Sequence, residues 1–120
     1  MEGLGIKMFN KIRKVLNEQK VDPKDIDAFL KAAIDNESPT NIKFRFEKII
    51  RTLGFDKSLL KVNTLGWAKV IAYYADAQEA KKFEQWAKSE FKSTKMIITY
   101  KDLSAGKSEA GVIFDLRNHL

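Results

Sequence analysis

The sequence predicts a mainly α protein: a bundle of four to five helices carrying a small C-terminal β-hairpin, α+β in the strict sense. Three observations lead there. Apolar residues recur at three- and four-residue spacing from Leu4 to Phe91. A capping residue directly before proline occurs twice, at Asp22-Pro23 and Ser38-Pro39. The period changes only near the end, where the β-branched run "KMIITY" reads as a strand. At 120 residues the chain is expected to form a single helical domain over residues 1–120, with residues 95–116 as a hairpin appendage.

The elements follow in order. Leu4, Met8, Phe9, Ile12, Val15 and Leu16 make one stripe, with Lys7, Lys11 and Lys14 opposite, so residues 4–16 read as an amphipathic helix. "VDPKDIDAFLKAAIDN" is the clearest helix. Asp22 caps it, Pro23 takes the first helical position, and Asp25 and Asp27 favour the positive end of the dipole. Helix physics accounts for those aspartates, and Pro23 with the missing glycine and glutamate excludes a calcium loop. A further helix is expected from Pro39, with Ile42, Phe46, Ile49, Ile50 and Leu53 inward and Gly54 as its stop. A competing strand reading uses only "IKFRF", whereas "EKIIRTLG" continues the helical spacing.

"FDKSLLKVNT" reads as a connector. "TLGWAKVIAYYADA" then supplies Leu65, Trp67, Val70, Ile71 and Tyr74 for a largely apolar helix at the centre of the bundle. Asp76 followed by Glu79 has capping-box spacing and opens the next amphipathic stretch, with Ala80, Phe83, Ala87 and Phe91 inward. After the strand at "KMIITY", "VIFDL" is its expected partner. The competitor is a last helix capped by Ser108 and using Val112, Ile113, Leu116 and Leu120.

Composition excludes several functions. With 44% apolar and 32% charged residues the chain is a folded protein, not a disordered tail. The absence of cysteine removes disulfides, thiol nucleophiles and thiolate metal sites. No apolar run reaches the roughly 18 residues of a spanning helix. The N-terminus lacks the apolar core of a secretion signal, so a cytoplasmic location is expected. The one histidine, His119, sits beside the C-terminus, where a catalytic base would be poorly positioned. Gly106-Lys107-Ser108 lacks the glycine five residues earlier that a phosphate loop needs; Lys101 stands there. No catalytic residue, metal site or cofactor is expected, and the chain reads as non-enzymatic, with no small-molecule substrate.

The formal charge is +6, and the excess is densest in residues 38–62, with six basic and two acidic groups. On a helix from Pro39, Lys43, Lys48 and Arg51 fall opposite the apolar stripe, with Arg45 flanking, and Phe44 lands among them. An exposed aromatic among cations suits nucleic acid: the cations meet phosphates and the ring stacks a base. The expected function is therefore a small basic accessory protein binding nucleic acid or a ribonucleoprotein through Lys43, Phe44, Arg45, Lys48 and Arg51. The alternative is a protein–protein module, such as a phage-type inhibitor or assembly subunit, that sets Phe44 and its charged rim against an acidic protein surface. A third reading gives Phe44 no external role and covers it with the N-terminal helix or the C-terminal hairpin.

Overall fold

A computed structural model describes residues 21–106 and 108–119. Among the described residues, three helices and a four-stranded antiparallel sheet stand where a four- to five-helix bundle was predicted. The elements are α1 (Pro23–Ile34), α2 (Pro39–Leu53), β1 (Leu59–Thr64), β2 (Lys69–Tyr74), α3 (Ala77–Glu90), β3 (Ile97–Ala105) and β4 (Ser108–Asp115), followed by a 3-10 turn at Arg117–His119. The helix expected over residues 4–16 lies outside the described residues.

The helices begin where the caps are. The Asp22 carboxylate accepts from the Lys24 amide at 2.9 Å, and the Ser38 hydroxyl from the Asn41 amide at 3.3 Å, each directly before a proline. α2 ends on Gly54 in the left-handed region at φ 79, where a Cβ would be strained. Its N–H donates back to the Arg51 carbonyl at 3.0 Å. The Asp76 carboxylate caps α3 through the Gln78 amide at 2.9 Å.

The correction concerns residues 59–74. The expected connector is β1 and the expected central helix is β2, joined by a turn in which Gly66 and Ala68 both take positive φ. The strand order is β1-β2-β4-β3, so β2 and β4 are central and β1 and β3 are edges. Two physical features hid the strands. β2, "KVIAYY", is apolar on both faces: Val70, Ala72 and Tyr74 face the helices, and Ile71, on the opposite face, is also buried at 4% exposure. A strand buried on both faces loses its alternation, and its run then fits helical spacing too. In β1 a bulge between Leu59 and Lys61 sets the inward residues Leu59 and Val62 three apart, which breaks the period of two. β3 and β4 pair as a hairpin, and Ser108 opens a strand rather than capping a helix or following a phosphate loop. β4 then continues the sheet by pairing with β2 from Lys69↔Asp115 to Tyr74↔Ala110.

α2 packs over β1, α3 over β2, β3 and β4, and α1 on α2. The core between helices and sheet is aromatic. Phe114 of β4 lies at its centre, 5.0 Å from Phe46 of α2, 5.3 Å from Phe83 of α3 and 6.3 Å from Phe29 of α1, ring centre to ring centre. The opposite face of the sheet carries none of these helices.

Candidate nucleic-acid interface

α2 holds all five residues singled out from the sequence. Burial of Ile42, Phe46, Ile49 and Ile50 against the sheet and α1 fixes the rotation of the helix. Phe44, Lys48 and Arg51, at four- and three-residue steps, are thereby turned to solvent, and Lys43 and Arg45 flank them, half-buried. Phe44 is 59% exposed, the most exposed large apolar side chain among the described residues. The face is not purely cationic. Lys48 Nζ lies 3.3 Å from the Asp25 carboxylate of α1, and the Arg51 guanidinium lies 3.4 Å from the Glu47 carboxylate one turn before it. Both pairs are exposed, so each is worth well under about 1 kcal/mol and is easily exchanged for another anion.

The sheet supplies residues that the sequence reading did not single out. On the face away from the helices, the register sets Lys61, Tyr73, Gly111 and Lys101 in one row across all four strands. The next row is Asn63, Ile71, Ile113 and Thr99, and the third holds Lys69, Asp115 and Ile97. Lys61 Nζ sits 5.2 Å from the centre of the Tyr73 ring. The Arg117 side chain grips Asp115 through hydrogen bonds of 2.9 and 2.7 Å, which hold the Asp115 carboxyl below the usual carboxylate range; Lys69 acts in the same direction. Assigning β2 as a helix scattered these residues, and only the strand register brings them together.

Leu65 and Trp67 were both expected inward, and both are exposed; Trp67 makes a specific contact. It is 44% exposed at the β1–β2 turn, and its indole N–H donates to the Ile34 carbonyl at the end of α1 (2.8 Å). The neighbouring Gly66 is the signal that could have marked the turn.

One cleft, of about 370 Å³, opens between the α2–β1 loop and the start of α3. Lys57, Ser58, Asp76, Glu79 and Lys82 are among its lining residues. Its carboxylates are already engaged. Glu79 accepts from the Lys57 amide (3.1 Å), the Ser58 amide (2.6 Å) and the Ser58 hydroxyl (2.7 Å), while Asp76 caps α3. Glu79 therefore ties the loop to the helix. Beneath it, the buried Tyr74 hydroxyl donates to the Phe55 carbonyl at 2.7 Å. Among the described residues no group of histidine, aspartate and glutamate side chains is placed to hold a metal ion. None of the described helices is long and apolar enough to cross a membrane. Comparison with protein-family models, with curated proteins and with solved structures finds no match for this chain.

Proposed function

We propose that this chain is a small non-enzymatic binding protein, working in the cytoplasm, that contacts nucleic acid, alone or within a ribonucleoprotein, through the outer face of α2. The observation that carries the reading is Phe44, 59% exposed on a helix whose neighbouring outward positions are Lys43, Arg45, Lys48 and Arg51. Lys48 and Arg51 would exchange Asp25 and Glu47 for phosphates, and the Phe44 ring would stack a base for ~1–3 kcal/mol.

The test is binding of labelled single- and double-stranded oligonucleotides across a salt series. Affinity is expected to fall steeply with salt through counterion release. Phe44→Ala is expected to weaken binding by about 1–3 kcal/mol. Because that ring is mostly exposed and stands outside the core of the described residues, the variant's stability should stay within about 0.5 kcal/mol of the parent. Absence of binding to any DNA or RNA at low salt removes the reading. A second reading is an acidic protein partner, with Phe44 as the anchor. It rests on the same exposed ring, which a protein partner would take into a pocket while Lys43, Arg45, Lys48 and Arg51 form a charged rim around it. Its affinity should fall less with salt than that of a nucleic-acid contact.

A further inference from the structure

We infer that the open face of the sheet is a separate platform for single-stranded nucleic acid, with Tyr73 as its stacking residue and Lys61, Lys69 and Lys101 as its phosphate contacts. This surface is carried by other elements than the α2 face and stands or falls independently of it.

The inference starts from the register. Lys61 and Lys101 end one row on the two edge strands, with Tyr73 and Gly111 between them. Strands about 4.8 Å apart put the two lysine positions about 14 Å apart, with an aromatic ring and a side-chain-free residue in the interval. Gly111 is buried beside Tyr73: a Cβ there would meet the Ile71 δ1 methyl at 3.0 Å and a Leu103 methyl at 3.2 Å, so those two side chains close over the glycine and give the ring an apolar flank. In the row below, Asn63 and Thr99 offer hydrogen-bonding groups on either side of Ile71 and Ile113.

The charge selects the occupant. Among the described residues, none of Lys61, Lys69 and Lys101 has a carboxylate within salt-bridge distance. The two acidic groups of this face are committed elsewhere: Asp115 to Arg117, and Glu109 to the Ala77 amide at 3.2 Å. A second copy packed face to face would bring two sets of three lysines together around a small apolar centre, so self-association is disfavoured. A polyanion with flat apolar bases answers both features at once. The contact between Lys61 and Tyr73 does not block it. An exposed cation–π pair is weaker than base stacking, so a base displaces the ammonium toward the backbone phosphates. A duplex keeps its bases inside and gives Tyr73 nothing to stack on, which makes the single strand the preferred form.

The experiment uses the full chain with fluorescein-labelled 12-nucleotide oligo(dT) and oligo(rU), and a DNA hairpin duplex as comparison, read by anisotropy at several salt concentrations. Tyr73→Ala is expected to weaken single-strand binding ~5- to 150-fold, while Tyr73→Phe, which keeps the stacking face, stays within about twofold. The pair Lys61→Gln with Lys101→Gln should flatten the slope of log affinity against log salt by about 1.4, at about 0.7 per lost phosphate contact. Circular dichroism and thermal unfolding establish that each variant is folded. Phe44→Ala runs in parallel. Loss with Phe44→Ala alone overturns the platform and leaves the α2 reading standing; loss with the sheet variants alone supports the platform and removes the α2 reading. Duplex binding as tight as single-strand binding, or a dimer in sedimentation that Tyr73→Ala dissolves, overturns the inference.

Discussion

Tyr74 shows how a single buried hydroxyl links the core to solution pH. Its side chain is fully buried, and burial pushes its pKa far above the ordinary tyrosine value near 10; the charges of Glu79 and Asp56 push in the same direction. The folded state therefore holds this proton while the unfolded chain releases it above about pH 10. The stability tied to Tyr74 is fully present below that pH and is lost as pH rises beyond it. Tyr74→Phe should cost about 1 kcal/mol at pH 7, through the bond to the Phe55 carbonyl, and should make the alkaline fall in stability shallower than in the parent. Urea midpoints at pH 8 and pH 11 for both proteins check this, since the two differ in no other ionisable group. Parallel falls would show that the hydroxyl is not shielded. Phe44 is the opposite case at the same scale. Its position was legible from spacing, because Ser38-Pro39 and Gly54 fix where α2 starts and stops, and a helix of known ends has a known outer face.

At the scale of elements, legibility followed local signals. α1, α2 and α3 each announce themselves by a cap at one end and an amphipathic stripe, and β3 by its β-branched residues. β1 and β2 were not legible because what makes them strands is their partners. Ile71 is buried on the far face and Val70 on the near one, so the run shows no polar alternation, and the bulge at Leu59–Lys61 shifts Leu59 out of step with Val62 in β1. The sheet-face candidates Lys61, Tyr73 and Lys101 were lost with that misassignment, since Lys61 meets Tyr73 only across the β1–β2 pair and Lys101 joins them only through Gly111 of β4. Glu79 illustrates the same dependence on tertiary context. Its spacing from Asp76 suggests a reciprocal capping box, yet the carboxylate leaves its own helix and takes two amides and a hydroxyl of the α2–β1 loop. Glu79→Gln keeps the size but replaces one acceptor oxygen with a donor facing N–H groups. It should lower stability by about 1.5–3 kcal/mol in denaturant unfolding, as loss of hydrogen bonds to a charged group does. A cost below about 0.5 kcal/mol would mean that the loop is not held by this carboxylate.

Across the whole molecule, the late strand β4 organises what precedes it. It pairs with β2 across a separation of about forty residues and delivers Phe114 against rings from all three helices. Such pairings are paid for in loop-closure entropy before any contact forms, so the two hairpins gain their stability together through the shared core rather than one by one. A lone hairpin of either kind is marginal in water. Phe114→Ala removes the common ring and leaves a cavity bounded by Phe29, Phe46, Phe83 and Phe91, and it should destabilise the fold by about 3–5 kcal/mol. The consequence specific to this architecture is cooperative loss. Amide exchange at Val62 in β1 and at Ile98 in β3, on opposite edges of the sheet, should accelerate by the same factor in the variant, because both strands are held by the layer that Phe114 centres. Acceleration confined to β3 would mean instead that the β1–β2 hairpin draws its stability from α2 alone.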